Sequence, residues 1–287
     1  MDQRASVDSE ICATVFCEST ISKPAAKDSN KMISKRLVAV YSALYFVAFA
    51  VAAQEFELQD LDVSNWDCLN QPEGAAKTQD GKERNRQKNR APADLAGVNA
   101  VALETAGFLQ RVATYDSQIQ LKHRRTLSPD QKSQVENLEK QLVSLTGWLV
   151  LAYRGVPETT NCRSQQFLDT HLELFEKPAE HPPQIGDPTP IICEITPRTE
   201  RLLYRSNVRI SKLAAFVRLP DNTFQPTGEK AHKIRVTGYL LWDDEHNGPA
   251  DIGSNIQWFS NEGYHHPWRS TAWEVHPVLK IEDLGTK

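Results

Sequence analysis

Apolar and polar residues alternate along five segments of the chain, and this alternation constrains the fold more than any other feature. A period of two residues is typical of a β-strand with one buried face, because successive side chains point to opposite sides of the strand. The segments are residues 143–153, 170–175, 191–197, 232–242 and 271–282. The alternation therefore predicts five β-strands in the second half of the chain.

A stretch with helical character, residues 200–219, separates the third predicted strand from the fourth. Three strands, a helical connection and two further strands is the element order of the OB-fold, a small Greek-key barrel. Gly147 lies inside the long first strand, where a glycine often marks a bend across a barrel. The predicted fold class is mainly β with flanking helices, built on a five-stranded OB-like Greek-key barrel. An open antiparallel sheet with helices on one face is the alternative.

The barrel domain is expected at residues 143–287, and a signal-like segment lies far upstream of it. Residues 37–53 contain no charge, follow Lys35 and Arg36 and end in small residues, as secretory signal peptides do. At 17 residues, this segment is also close to the shortest helix that spans a membrane. An exported protein, periplasmic or secreted, is therefore expected, and a membrane-anchored one is the alternative. Residues 1–36 are an N-terminal tail or lie upstream of the true start, because Met32 begins a signal of ordinary length.

Two segments connect the signal to the barrel. Residues 54–92 are predicted to be a flexible linker, because most of them are charged or polar and cannot bury enough apolar surface to fold alone. Residues 93–142 are predicted to be a helical lead-in, since apolar residues recur at helical spacing over 95–110. A further helix is expected to begin at Ser128, which is a favourable N-cap followed by proline and aspartate.

Charge and motifs argue against several classes of function. Lys and Arg number 33 and Asp and Glu number 37, so the net charge of −4 disfavours nucleic acid as a partner. The chain lacks the glycine-rich loops of P-loop and dinucleotide-binding proteins and the G-x-S-x-G motif of serine hydrolases. A membrane is expected as a partner only through residues 37–53, if these are not cleaved.

Three cysteines follow the predicted signal, and outside the reducing cytosol two of them could form a disulfide. Cys162 lies between the first two predicted strands and Cys193 lies in the third, which makes them the favoured pair. Such a bond needs their Cα atoms within about 7 Å. Two free thiols, one of them buried in the third strand, are the alternative.

Four ionisable residues lie opposite the apolar faces of the predicted strands. They are His171, Glu194, Glu274 and His276. If the strands bring them together, they could ligate a divalent ion such as Zn²⁺, with His171 and His276 as ligands and Glu194 or Glu274 as catalytic carboxylate. Cross-strand ion pairing on a solvated barrel face is the alternative.

A second group of candidates flanks the expected ligand face. In OB-folds the loop between the fourth and fifth strands borders that face, and here it is long and aromatic. The candidate ligand-binding residues are Arg198, His246, Trp258, Trp268 and Arg269. Arg198 and Arg269 could clamp a carboxylate or phosphate, while the tryptophans could stack on a ring. Internal salt bridges and a hydrophobic cluster that holds the loop are the alternatives.

Several short segments resemble, in the same order, those of a group of uncharacterised exported bacterial proteins. They are residues 160–162 (TNC), 194–198 (EITPR), 236–240 (VTGYL) and 273–277 (WEVHP), together with 88–90 (KNR) and 169–171 (DTH). The resemblance implies export and one compact unit over approximately residues 84–282. It gives no information about activity. The chain departs from the pattern over residues 243–270, because the corresponding stretch is usually shorter in the group.

These observations lead to two functional hypotheses. The first is an exported OB-like binding module, without catalysis, for a cell-envelope glycan, a small molecule or an envelope protein. The alternative is a metal-assisted, phosphodiesterase-like hydrolase that uses the histidines and glutamates of the barrel face. A divalent metal such as Zn²⁺ is the one cofactor that the residues suggest.

Overall fold

Five long strands close a barrel in the computed structural model, which describes residues 57–91, 95 and 99–287. The strands are β2 (Leu142–Arg154), β3 (Thr170–Phe175), β4 (Ile191–Ile195), β7 (Lys233–Trp242) and β10 (Trp273–Asp283). Each pairs with its neighbour in the circular order β2-β3-β4-β10-β7 and back to β2, and only β4 and β10 run parallel. The predicted fold class, an OB-like barrel with flanking helices, is confirmed.

Shorter elements surround the barrel. The helices are α1 (Gln79–Lys88), α2 (Thr105–Ile119), α3 (Pro129–Glu139) and α4 (Pro197–Arg205). The remaining strands are β1 (Val101–Glu104), β5 (Phe216–Arg218), β6 (Phe224–Pro226), β8 (Trp258–Phe259) and β9 (His265–His266). β1 and β5 both pair in parallel with β2, and β8 and β9 form a hairpin in the loop between β7 and β10.

The barrel interior is filled by the apolar side of each long strand, as the alternation predicts. Its buried residues include Val143, Leu145, Leu172, Ile195, Val236, Leu240 and Trp273. Gly147 is required where β2 passes close to β3, because a Cβ at this position would lie 3.1 Å from the Leu174 Cβ and 3.2 Å from the Phe175 carbonyl oxygen. Such close passage of strands is what closes a small barrel around its side chains.

The alternation of β2 shifts by one residue along the strand. The pairing of β2 with β3 changes register between Leu149 and Leu151. A shift of one residue exchanges the two faces of a strand. Ala152 therefore packs in the interior, and Tyr153 belongs to a second cluster with Val150 and Leu151. Unbroken alternation over residues 143–153 predicts that Tyr153 shares the interior face with Leu145, and the register shift makes that prediction wrong.

The helices agree in part with the predictions. α3 begins at Pro129, and the Ser128 hydroxyl accepts a hydrogen bond from the Gln131 backbone N–H, as the N-cap pattern predicts. The helical spacing over residues 95–110 holds only from Thr105, because the preceding residues pair with β2 as strand β1. Between β4 and β7 the chain forms α4, a short 3₁₀ turn at Ile210–Lys212 and the β5–β6 pair.

The prediction of a flexible linker over residues 54–92 is wrong for the described part of that segment. Residues 79–88 form helix α1, in which Arg84 and Lys88 are buried. These basic side chains are neutralised by carboxylates of the barrel and its loops, so that charge pairing adds to the burial of Leu58 and Trp66 in holding the segment. We call residues 57–91 the N-terminal strap. The predicted signal, residues 37–53, lies outside the described residues.

The strap also contributes a cysteine to the disulfide. Cys68 is bonded to Cys162, with 5.8 Å between their Cα atoms. The favoured pairing of Cys162 with Cys193 is therefore wrong: Cys193 is a free, fully buried thiol in the barrel interior, whereas Cys162 lies in a loop outside it. Within the described residues, no helix is long and apolar enough to cross a membrane.

Candidate functional site

Four residues that the sequence singles out meet on the outer face of β3, β4 and β10. The β3–β4 register places His171 opposite Glu194, and their Nδ1 and Oε1 atoms are 3.6 Å apart. The parallel pairing of β10 with β4 brings His276 beside them, with Nδ1 2.9 Å from the nearer Glu194 oxygen and 3.1 Å from that of Glu274. In OB-folds this face and its adjoining loops bind ligands.

This face is not solvated, contrary to the alternative considered from the sequence. His171 is 7% exposed, Glu194 is 1% exposed, and Glu274 and His276 are completely buried. Part of the cover is the strap, whose Lys88 reaches into the group of acidic residues. The strap crosses the two loops that border the face, to which it is joined by the disulfide and by ion pairs.

Lys88 is the central cation of the site. Its Nζ lies 3.4 to 3.9 Å from oxygens of four carboxylates, those of Glu158, Glu194, Asp243 and Glu274. Burial alone would lower the pKa of Lys88, but these negative groups raise it well above its ordinary value. Lys88 is therefore charged and is one of the groups that hold the strap on the barrel.

Three further carboxylates complete what we call the histidine–carboxylate cluster. Glu158 and Asp169 come from the loop between β2 and β3, and Asp243 begins the loop between β7 and β10. The whole cluster is Glu158, Asp169, His171, Glu194, Asp243, Glu274 and His276, with the cations Lys88 and Arg269. Its five carboxylates outnumber these two cations and Arg84, whose Nε lies 3.8 Å from Asp243, so carboxylates exceed permanent cations by two.

The pKa values respond to this imbalance. Burial, and then the nearby Glu158, raise the pKa of Asp169 to about 7. Burial opposes ionisation of Glu194 too, but His171 and Lys88 hold its pKa well below the ordinary value. Although burial acts to lower the pKa of His276, Glu194 raises it to about 9. In the absence of another cation, the cluster is therefore a site that retains protons.

Several buried polar atoms of the cluster have no hydrogen-bond partner among the described residues. They are both carboxylate oxygens of Asp169, both ring nitrogens of His171 and Nε2 of His276. Buried polar groups are normally paired with protein groups or ordered water, so a group without protein partners marks a place where water, an ion or a ligand can bind. Asp169, Glu194 and His276 each offer one ligand atom, all within 4.8 Å of one another. Glu158, His171 and Glu194 form a second set of this kind.

A third acidic set, away from the barrel face, is already neutralised. Asp80, His123 and Asp244 also place one atom each within 4.8 Å of one another. However, Asp244 accepts hydrogen bonds from Arg84 and Arg124, and Asp80 pairs with an arginine as well. Arginines supply the positive charge there, so this set has no need of a metal ion.

The predicted clamp of Arg198 and Arg269 does not form. Arg269 donates to Glu274 at 2.8 Å and lies 3.7 Å from Asp243, which is the internal salt bridge considered as the alternative. Arg198 donates to the Cys68 carbonyl oxygen at 2.8 Å and lies 4.7 Å from the centre of the Trp66 ring. Arg269 thus stabilises the cluster, and Arg198 holds the strap.

The three aromatic candidates of the long loop have different surroundings. Trp268 donates to Asp251 through Nε1, and its ring lies against Arg269 on one side and His246 on another. His246 and Trp268 therefore hold the loop in place, which is the alternative considered from the sequence. Trp258 stacks on His266 at 4.1 Å and is 46% exposed, whereas His246 and Trp268 are partly buried.

Four members of the site were not candidates from the sequence: Lys88, Glu158, Asp169 and Asp243. Lys88 and Asp169 nevertheless belong to the KNR and DTH segments on which the resemblance rests. The charged side chains of all four gave no periodic signal, because they lie in loops or in a polar helix rather than in alternating strands. Comparison of the chain with known proteins finds no matching family model, no similar curated protein and no similar solved structure.

Proposed function

We propose that the histidine–carboxylate cluster binds a divalent cation, Zn²⁺ or an ion with similar preferences. The observation that carries this proposal is the convergence of Asp169, Glu194 and His276, in which both Asp169 oxygens and His276 Nε2 are buried without a hydrogen-bond partner among the described residues. Histidine nitrogens and carboxylate oxygens are both zinc ligands, and catalytic zinc sites have three protein ligands and one open position. The excess of carboxylates over fixed cations supports the same conclusion, since a divalent ion would balance it.

The surroundings of these three residues support a role as metal ligands. Glu274 accepts a hydrogen bond from His276 Nδ1 at 3.1 Å and is itself held by Arg269 at 2.8 Å. A carboxylate in this position orients a metal-bound imidazole and increases its basicity. Of the five carboxylates in the cluster, only Glu158 is not fully buried, so an ion would enter along the loop between β2 and β3.

We infer from this site that the protein is a metal-assisted hydrolase of phosphodiester-like substrates. A bound divalent ion polarises a phosphoryl oxygen and lowers the pKa of a bound water. His171 and Glu158 lie beside the three ligands and supply acid–base groups, while Lys88 and Arg269 supply positive charge. A substrate larger than an ion would require the strap to move aside, because the strap covers this face.

The metal proposal is tested by titrating the purified, metal-free protein with Zn²⁺ and Mn²⁺ in a calorimeter. We expect one ion per chain, with affinity lowered more than about 10-fold in Asp169→Asn, as loss of even an outer partner of a metal ligand has such an effect. Asp80→Asn is the matched control, because Asp80 belongs to the set that arginines already neutralise. Absence of stoichiometric binding by the wild type would contradict the proposal.

Hydrolysis of bis(p-nitrophenyl) phosphate by the same samples tests the second part. We expect metal-dependent release of p-nitrophenol by the wild type and by Asp80→Asn, and loss of this activity in Asp169→Asn. If the wild type binds the ion and releases no product from this or other phosphate esters, the hydrolase assignment is wrong and the site is a metal-binding one only.

A second candidate function is a binding module for a cell-envelope glycan, and the exposure of Trp258 favours it. An exposed tryptophan on a loop beside the OB ligand face provides a surface on which a sugar ring can stack. We expect a glycan-array signal that Trp258→Ala abolishes and that Phe259→Ala, a change at the next residue, leaves in place. Equal signals from the wild type and Trp258→Ala would exclude this surface.

The Cys68–Cys162 disulfide supports export, because such bonds persist outside the reducing cytosol.

A further inference from the structure

A row of stacked side chains extends away from the histidine–carboxylate cluster across three adjacent strands. Tyr153 on β2 is paired with His171 on β3 and with Arg218 on β5. The His171 and Tyr153 ring centres are 4.8 Å apart, and the Arg218 guanidinium carbon lies 3.7 Å from the Tyr153 ring centre. Tyr264, from the loop between β7 and β10, covers Arg218 at 3.8 Å. The two tyrosine rings therefore hold the guanidinium group between them.

Arg218 has no anionic partner within the described part of the chain. It is 5% exposed, yet no carboxylate oxygen lies within 4.0 Å of it and none of its side-chain nitrogens donates a hydrogen bond there. The comparably buried Arg124 and Arg269 each have at least two acidic partners. An unpaired buried charge is costly, so a buried arginine normally has a counter-ion.

Glu173, an acidic side chain on which Arg218 acts electrostatically, does not pair with it directly. Glu173 lies on β3 beside Tyr153 and His265, and its carboxylate is more than 4.0 Å from the guanidinium nitrogens. Burial raises the pKa of Glu173 to about 8, so the carboxyl group is mostly neutral at pH 7. Burial also lowers the pKa of His265 to about 3, so this imidazole is uncharged. The positive charge of Arg218 is thus the dominant one in its surroundings.

Arg218 and Tyr264 line a cavity of about 190 Å³ beside the stack. Its other walls are mainly apolar and include Val156, Pro157, Leu168, Leu219 and Pro220. Arg154 also lines the cavity, but both of its terminal nitrogens donate to the carboxylate of Glu200. The cavity therefore combines one unpaired cation with an apolar wall.

We propose that this cavity binds a small organic anion, whose phosphate or carboxylate group pairs with Arg218 and whose apolar body packs against the wall. A guanidinium group presents parallel N–H donors that match the oxygens of either anion. The volume of about 190 Å³ is below the roughly 300–1,000 Å³ of sites that take drug-sized molecules, so the cavity suits a smaller ligand. The proposed site uses none of the three proposed metal ligands and does not depend on metal binding.

The test is a calorimetric titration of the wild-type protein with phenyl phosphate, benzoate, inorganic phosphate and benzyl alcohol. We expect saturable binding of phenyl phosphate or benzoate. Inorganic phosphate, which lacks the ring, and benzyl alcohol, which lacks the charge, should bind at least about 10-fold more weakly. The better of the two aromatic anions identifies the anionic group. No binding of either at millimolar concentration, or equal binding of benzyl alcohol, would overturn the proposal.

Variants locate the binding to Arg218. We expect Arg218→Gln to weaken it by about 10-fold or more. Arg209→Gln is the matched control, because Arg209 stacks on Tyr204 and does not line the cavity. If Arg218→Gln fails to fold, Tyr264→Ala removes one of the two covering rings from an exposed loop and is expected to weaken binding several-fold. Unchanged affinity in a folded Arg218→Gln, or in Tyr264→Ala when that variant replaces it, would contradict the assignment.

Discussion

At the scale of single residues, the buried charges of the barrel face explain why a polar segment is held in place. Lys88 contacts four carboxylates and is itself 4% exposed. Buried ion pairs add little net stability compared with apolar packing, but removal of one partner leaves the others buried and uncompensated. The site is therefore sensitive to the loss of this one cation.

We expect Lys88→Met to lower the free energy of unfolding by about 3–5 kcal/mol, because the remaining carboxylates lose their shared counter-charge. Lys82→Met is the control on the same helix: Lys82 pairs with Glu73 at the surface, and loss of such a pair changes stability by about 1 kcal/mol or less. Urea unfolding of the three proteins at pH 7 measures both values. Equal stability of Lys88→Met and the wild type would show that the strap does not depend on Lys88.

Glu173 provides a pH dependence that can be isolated. Its pKa rises from 4.5 to about 8 on folding because of burial, so the folded state binds more protons than the unfolded state between these values. The contribution of Glu173 to the free energy of unfolding is fully present below about pH 4.5 and is lost as the pH rises towards 8. His265 has the opposite effect on stability, because its pKa in the folded protein, about 3, is below the ordinary value of 6.5. Its contribution changes with pH only below about pH 6.5.

We therefore expect the stability of the wild type to fall more steeply than that of Glu173→Gln between pH 6.5 and 8. Urea unfolding at pH 6.5, 7.25 and 8 measures the two slopes. The exposed Glu176, three residues along the chain, gives a control variant, Glu176→Gln, whose slope should match the wild type. Parallel curves for the wild type and Glu173→Gln would mean that Glu173 is ionised in the folded protein.

At the scale of elements, the strap depends on a covalent link as well as on charge. The Cys68–Cys162 bond joins positions 94 residues apart and ties the strap to the loop between β2 and β3. Asn85 and Asn89 of the strap also exchange hydrogen bonds with Thr160 of that loop. A bond that closes a long loop restricts the unfolded chain more strongly than one that closes a short loop.

We expect the double variant Cys68→Ser and Cys162→Ser to be about 2–5 kcal/mol less stable than the oxidised wild type. Guanidinium unfolding with and without a reducing agent measures this difference. The reductant should destabilise the wild type and leave the double variant unchanged, because Cys193 is already a thiol in the core. A wild type that does not respond to complete reduction would contradict this role of the bond.

At the scale of the whole molecule, the protein covers its own OB ligand face. The strap, the long loop between β7 and β10 and the loop between β2 and β3 surround the cluster. The described chain thus places an acidic, histidine-containing centre inside the protein, while the cavity beside Arg218 lies at the far end of the Tyr153 stack. Under the proposed function, an ion would enter past Glu158, whereas a larger substrate would require the strap to move aside.

The barrel itself could be predicted from the sequence because strand alternation is a local property. Five alternating segments gave the strands, and the order of the elements gave the circular arrangement in which β4 and β10 are neighbours. His171, Glu194, Glu274 and His276 were found for the same reason, since each lies opposite an apolar face of its strand. The position of Tyr153 was not predictable, because the register shift in β2 reverses the faces of that strand after Leu149.

The sequence alone determined the strands, their order and the polar face on which the histidines and glutamates lie, because these depend on periodicity along the chain. Only the tertiary structure decided that the polar strap folds, that Cys68 rather than Cys193 pairs with Cys162, and that Arg218 has no acidic partner among the described residues. These features depend on contacts between residues far apart in sequence. A charged segment remains solvated or becomes buried according to whether complementary charges face it, and no local pattern encodes that partner.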